Sequence, residues 1–533
     1  MIATMHPALT QPKPLNTHEW WADSSSCKDF YLALQFFVVQ AIAKQTGERD
    51  ADVRRSLLQL WPNSAEKAID DYALLFSENL TDEQQDQVDA YDLKETLKGT
   101  IIQIVGVHFP APEPESDWDY QQLFYLTEKL HFVDCHFYGD QVFTESFYTE
   151  YSTDIVFLDC VFHNNWQVIT VDLPSSGLPL FDVCEFEGKA IIEGYTPTSG
   201  YTCIFRNCTL NEVIIKNTEI DTYLFDFLIE IPAQLKKLAL IKCTFNKTLT
   251  LGNIKGMKTL EFTSTVFNKK FALIACDCDV VVIKNTNFND LADFYMSRFG
   301  GFLLQKSIFK DFSAFEKCHF GWQGGVEQKI TLNYVTFYSF INFRDAKFSQ
   351  ILDLRNTNRK EQPNFLDAEF NSSALQGTDR ETFRIIKHSF DAVGNKVEAS
   401  KYFAHEMQAY RRELKNDKKE NHRRERLLFW ANAKISNHGQ DYLLATRWFL
   451  AIIIITGLVL ANDSQQLIDT HFAGPVFWQW IRNSVNNMAL GFLPLSGLFN
   501  DREHLAAFLL LSAVLLSGVT WHLLVAVRRH SKR

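Results

Sequence analysis

A chain of 533 residues, 46% of them apolar, has material for several domains and a large core. Its formal charge of −11 argues against a general nucleic-acid binder, which would carry a basic surface. Phenylalanine stands out, with 45 residues against 17 Tyr and 11 Trp, so one aromatic type is expected to stack repeatedly.

The start, MIATMHPALTQPKPLNTHEWW, shows no basic stretch followed by an apolar run, so no cleavable signal peptide is visible. Ten cysteines without an export signal point to reduced thiols in a cytosolic body. Residues 17–105 read as helical. CKDFYLALQFFVVQAIAKQ (27–45) has helical apolar spacing and stops at Gly47, and DVRRSLLQLW (52–61) and SAEKAIDDYALLFSENL (64–80) follow. Ser64 is an N-cap candidate, but Lys67 stands where a capping box needs an acid or amide. This region, 1–110, is expected to cap the neighbouring C-terminal segment or to serve as a sensor or partner-binding domain. The acidic, Pro-rich PAPEPESDWDY (110–120) reads as a linker.

Next comes a repeat. FVDCHF (132–137), FLDCVF (157–162), FDVCEF (181–186), FRNCTL (205–210) and LIKCTF (240–245) place Cys two residues before a large apolar residue, at intervals of 25, 24, 24 and 35. The mark continues as Thr265-x-Phe267, Thr286-x-Phe288, Ser307-x-Phe309, Cys318-x-Phe320, Ala346-x-Phe348 and Ala368-x-Phe370. Between the marks lie β-rich runs such as EVIIK (212–216) and DVVVIK (279–284), punctuated by Asn and Asp. Short strands turned every few residues form a parallel solenoid over 120–376 when laps stack. Inward side chains of successive laps then lie roughly 4.8 Å apart. A Phe fills the axis, and its neighbour two residues back, facing the same interior, must be small. The cysteines are therefore expected to be buried fillers, with disulfides as the weaker reading. The CxC pair Cys276/Cys278 lacks a second ligand pair, so no metal and no cofactor is expected.

A small residue two before Leu or Phe, with FRDAKF (343–348) and FLDAEF (365–370), resembles the pentapeptide-repeat family of right-handed β-helices over about 130–375. Coils of this kind also host polysaccharide lyases and hydrolases. Asp134, Asp159, Asp182 and Asp367, however, are placed at turns beside the rung, where bending and solvating the coil is the simpler role. No enzyme is expected, since the chain lacks a partnered nucleophile, a Gly-rich phosphate loop or metal spacing. His388, His405 and His422 read as solvated residues of basic helices.

Residues 379–437 read as a basic helical hairpin that breaks at Gly394-Asn395. One stripe is Phe383, Ile386 and Phe390; the other is Val397, Tyr402, Phe403, Met407, Tyr410 and Leu414. Its charge run, from Arg411 to Arg426, is expected to meet anionic lipid head groups.

The membrane module spans 442–528. YLLATRWFLAIIIITGLVLA (442–461) and LAAFLLLSAVLLSGVTWHLLVAV (505–527) each suit a spanning helix, with Trp448 and Trp521 as interfacial anchors. Between them, VFWQWIRNSVNNMALGFLPLSGLF (476–499) is apolar but broken by Arg482, Asn483, Ser484, Asn486, Asn487, Pro494 and Ser496. Arg423, Arg424, Arg426 and Arg447 lie at one flank, and Arg528 and Arg529 at the other, so both ends are expected in the cytoplasm. That requires an even number of crossings, and the middle segment then dips in and returns. These six arginines are the expected lipid-facing basic residues.

This arrangement is similar to the two-helix pore module of ion channels, which several bacterial pentapeptide-repeat proteins carry after their solenoid. The marks are FDAVGNKVEA (390–399), SNHGQDYLLATRWF (436–449) and VRRHSKR (527–533). The resemblance implies a bacterial inner-membrane, multi-pass protein and an oligomer of around four subunits. No TVGYG-type filter is present, so a wide or poorly selective pore is expected. The fold class is thus mixed and multidomain: a helical N-terminal domain, a parallel β-helix, a helical hairpin and a two-span membrane module with a re-entrant segment. Two functions compete. One is a membrane effector, pore-forming and gated by a partner or signal ligand on the cytosolic domains. The other is a membrane-tethered β-helix scaffold that moves no ion. A DNA-mimicking inhibitor suits the acidity, but a membrane tail would hold it away from the nucleoid; no nucleic-acid partner is expected.

Overall fold

The computed structural model describes residues 101–109, 129–143, 154–169, 177–194, 201–227, 233–322, 330–416, 423–463 and 503–531, with isolated positions at 43, 44, 47, 49, 478, 481, 482, 485, 486 and 488. It divides into two compact units, 1–350 with 356–361 and 366–369, and 351–355 with 362–365 and 370–533. The expected N-terminal helices fall almost wholly outside the described residues. Gly47, at φ 76°, does donate its N–H to the Ala43 carbonyl, as a helix stop should.

The first unit is a parallel β-solenoid of about 9 turns. Strand Ile101–Val105 pairs in parallel with Lys129–Val133, which pairs with Asp154–Leu158. Among the described residues the coil therefore reaches back to Ile101, inside the stretch expected to be helical. The expected linker 110–120 joins two paired laps instead of two domains; its own residues lie outside the described set. IIQIV alternates poorly for a helix and offers β-branched residues to a ladder, which is why the sheet claims it. One face carries the long strands: Glu185–Glu193, Thr209–Lys216, Gln234–Ile241, Asp277–Lys284 and Arg298–Gln305. These laps are looser than a strict five-residue pattern would make them.

Phenylalanine stacks as its abundance implies. Phe109, Phe137, Phe162 and Phe186 form one column with centroids 4.9, 4.8 and 4.7 Å apart. Phe245, Phe267, Phe288, Phe309 and Phe337 form another, at 5.2, 5.0, 4.5 and 4.9 Å. All of these rings are buried. Parallel in-register pairing, such as Phe267 with Phe288 and Phe288 with Phe309, sets each ring over its counterpart one lap away.

In the second unit, helix α1 (Ser372–Gly377) leads into α2 (Arg380–Ala392) and α3 (Lys396–Asn416). Asp379 caps α2 by accepting the Thr382 N–H at 3.0 Å, and the reversal sits at Gly394, φ 79°, as the sequence indicated. Phe383, Ile386, Phe390, Tyr402 and Leu414 are buried between the helices. Val397 is 44% exposed, because it lies in the first turn of α3 beside the reversal, before the stripe meets α2. Helix α4 (Arg423–Ser436) precedes two long apolar helices, α5 (Tyr442–Asp463) and α6 (Ala506–Ser531).

Candidate functional site

The rungs of the solenoid show what the repeat is for. Each small residue directly follows a residue held at positive φ: Asp134, Asp159, Val183 and Asn207 in one column of corners, Asn217, Lys242, Ser264, Asn285 and Lys306 in another. The following thiol or hydroxyl donates to the carbonyl two residues back and to one in the preceding lap. Cys135 reaches Val133 O and Ile104 O at 3.4 and 3.3 Å; Cys243 reaches Ile241 O and Ile215 O at 3.4 and 3.2 Å. Thr265 repeats this at 3.3 and 3.1 Å, and Ser297 at 3.4 and 2.8 Å. The position thus asks for a small side chain and uses a donor. Burial pushes the Cys243 thiol up to about 11 and that of Cys276 to about 12, so these sulfurs stay protonated and unreactive.

The acidic residues divide. Asp134, Asp159 and Asp367 are positive-φ corners, as expected. Asp182 is not a turn residue: it lies buried in strand Phe181–Asp182, with Arg206 of the next lap donating to its carboxylate. Val183 takes the corner there. A bidentate partner in register outweighs the local turn preference of Asp. Other carboxylates also bridge laps, such as Asp277 to Arg298 and Glu212 to Lys237. Among the described residues no group of three His, Cys, Asp or Glu is placed to hold a metal. His108, His136 and His163 stack in successive laps at 4.2 and 5.3 Å, a ladder the sequence reading passed over because its rungs are 28 and 27 residues apart.

The candidate membrane module is the pair α5 and α6, with α4 packed beside it. Only 28% of the apolar stretch Tyr442–Leu460 and 22% of Ala506–Arg529 is buried, whereas a core helix is mostly buried. Ile454, Ile455 and Leu458 on α5, and Leu510, Leu511, Val514 and Leu515 on α6, are exposed. The two helices meet along a seam where Ile453 and Leu516 are buried beside Ala445, Thr456, Ser512 and Ala526, the last four being small or hydroxyl residues that let helices approach closely. They run antiparallel. Arg529, near the end of α6, donates to the His438 carbonyl just before α5 begins, and Ser436 lies 3.4 Å from His522. Gly439, at φ 80°, makes this corner; a Cβ there would lie 2.9 Å from the Arg529 guanidinium. The basic residues flanking the two spans therefore gather at one end.

Of the expected pore residues, Arg482 and Asn486 are helical and exposed; Asn483, Ser484, Asn487, Pro494 and Ser496 lie outside the described residues. One contact ties this segment to a span. A Cβ on Gly457 would lie 2.7 Å from Met488 Cγ and 2.8 Å from its Cα, so Met488 packs against the apolar stretch of α5 itself. Among the expected lipid-facing residues, Arg423, Arg424, Arg426, Arg447 and Arg528 are exposed. Arg529 is instead drawn inward by the His438 carbonyl and the Phe403 ring, 4.5 Å from its Cζ.

His438 was missed by the sequence reading, as isolated histidines carry no periodic signal. It is 2% exposed, sits at φ 58°, and neither ring nitrogen has a hydrogen-bond partner. Burial, with Arg411 and Arg529 nearby, pushes its pKa down to about 4. His388 is exposed as expected; His405 is not a solvated residue but stacks on Phe383 at 5.4 Å, held by the α2–α3 interface, and His422 lies outside the described residues.

No protein-family model, no curated protein and no solved structure matches this chain.

Proposed function

We propose that the chain is a membrane-embedded effector whose C-terminal hairpin crosses a bilayer twice and, in an oligomer, forms an ion-conducting path. The observation that carries this reading is the packing of Met488 against Gly457. Gly457 lies three residues before Leu460, the end of the apolar span, and about 9 Å before the end of α5. A connection that merely arched over the hairpin would not reach so far back along it. In this reading the segment with Arg482 and Asn486 returns along the span, where polar groups are costly unless they face water or protein. Two helices enclose nothing, so a path needs several copies.

The gathered basic ends support a cytoplasmic location for both flanks by the positive-inside rule, in a bacterial inner membrane if the resemblance holds. The pentapeptide-repeat relationship is part of this proposal, carried by the small-x-Phe rungs. The solenoid would bind a partner or signal. The second reading is a tethered scaffold; the inter-laced ion pairs on the solenoid's outer surface favour a stable platform and leave this alternative open to test.

The test is membrane potential, followed with a potential-sensitive dye in bacterial cells carrying the intact chain. The comparison is a chain with 476–499 replaced by a polar linker of equal length and insertion verified. Depolarisation by the intact chain alone is expected. An unchanged potential with both chains inserted would favour the tether.

A further inference from the structure

Helix α4 packs against α3, α5 and α6 with Phe429, Ala433 and Ile435 half-buried and Ser436 buried, and leaves another side uncovered. Arg423, Leu427, Trp430 and Lys434 follow at spacings of 4, 3 and 4, one stripe of an α-helix, and all four are exposed. Leu427 is 66% exposed and Trp430 48%, and the adjoining Leu428 is 61% exposed. Such residues on a water-facing helix are unusual side by side, and here they are framed by cations: Arg423, Arg424, Arg426 and Lys434 against a single acid, Glu425. The C-terminal end of α4 is also fixed to the start of the first span. Trp448 of α5 donates its indole N–H to the Lys434 carbonyl at 3.0 Å. Trp448 is itself 47% exposed. The Lys434 end of the stripe is thereby held beside Trp448, about 9 Å along α5 from its first residue.

We infer that α4 is an in-plane membrane-surface helix, seated on an anionic leaflet with Leu427, Leu428 and Trp430 in the headgroup boundary and Arg423, Arg424, Arg426 and Lys434 on lipid phosphates. This rests on the reading that α5 and α6 span a bilayer, and deepens it by naming the lipid surface the cytosolic flank requires. Three observations select lipid over a protein partner. The stripe's Lys434 is tied to the exposed Trp448 of α5, its cations complement phosphates, and Trp430 is an aromatic of the interfacial type.

The experiment uses the full chain carrying Leu427→Cys in a Cys27→Ser background, with an environment-sensitive fluorophore on the new thiol. The nine other cysteines are buried. A His388→Cys chain, labelled on the exposed side of α2, is the reference. Each is reconstituted in vesicles of phosphatidylcholine alone or mixed with phosphatidylglycerol, and flotation with protease protection reports whether the spans have inserted. In the anionic vesicles the Leu427 probe should shift its emission to the blue and be quenched by lipids brominated near the headgroup, while the His388 probe is not. Replacing Arg423, Arg424 and Arg426 with Gln should return the Leu427 quenching towards the reference.

An inserted chain whose Leu427 probe stays water-exposed overturns the in-plane helix and leaves the spans standing. A chain that neither floats nor is protected overturns the spans and this inference with them. A blue shift without bromine quenching, growing with protein concentration, assigns the stripe to a second copy of the chain and overturns the lipid assignment.

Discussion

Many corners of the coil are two-residue devices. A residue near φ +50° turns the backbone, and at Cys135, Cys243, Thr265 and Ser297 the next presents a small donor to backbone carbonyls. Asn and Asp accept this left-handed conformation because their short polar side chains bond locally. Val183, at φ 58° and 51% exposed, has a branched Cβ and no such bond to offer. Val183→Asn should therefore stabilise the chain by about 1 kcal/mol, read as a higher melting temperature. A loss of stability would show that the Val183 side chain has a contact that outweighs its backbone strain. His438 gives the second prediction at this scale. Its folded pKa is about 4 against an ordinary 6.5, so the unfolded chain takes up the proton first. The stability it supports is complete above about pH 6.5 and is lost as pH falls towards 4. Between those values the melting temperature of the chain in detergent should drop more steeply than that of His438→Asn, which accepts positive φ and carries no titrating group. Parallel slopes would remove His438 from the pH response.

Among the elements, the seam around α5 depends on a missing side chain. Gly457→Leu would force a branched group into Met488, and overpacking of this kind costs typically about 1–3 kcal/mol. The variant should melt at a lower temperature in detergent. Gly518→Leu, whose Cβ would meet nothing within 4 Å, should not. Equal effects would mean that the loss comes from handling of the apolar helices and not from the Met488 contact. The α2–α3 hairpin is the stiffer neighbour: Lys387 reaches the buried Glu406 at 2.7 Å, and Phe390 stacks on Tyr402 at 5.5 Å. Its pattern was readable because both apolar stripes follow the helical period across a glycine break. The exposed stripe of α4 was not, since Leu427, Leu428 and Phe429 in sequence look like any helix turn destined for a core.

For the whole molecule, the solenoid and the C-terminal helices answer different physical demands. A coil with in-register Phe columns and lap-bridging ion pairs satisfies itself. The α5–α6 hairpin does not, as most of its apolar surface is uncovered. In the proposed reading lipid, other copies, or both cover it, and the dye and flotation experiments separate these. If the potential falls only with the intact chain, the uncovered apolar surface of the hairpin is where subunits would meet. If it never falls while the spans insert, the same surface faces lipid alone and the coil is the working part.

The sequence by itself determined the β-solenoid, the hairpin break at Gly394 and the two candidate spans. Each rests on a local period or a run of one chemical type: small-x-Phe once per lap, apolar residues three and four apart, and some twenty apolar residues together. Tertiary structure alone decided the rest. Ile101–Val105 joins the coil only because a strand one lap away completes its ladder, and Asp182 leaves the turn only because Arg206 arrives in register. His438 and Gly457 owe their meaning to partners 91 and 31 residues away in the chain, Arg529 and Met488. Periodicity records which way a side chain faces within its own element. What it meets there depends on the distant segment that folding brings alongside.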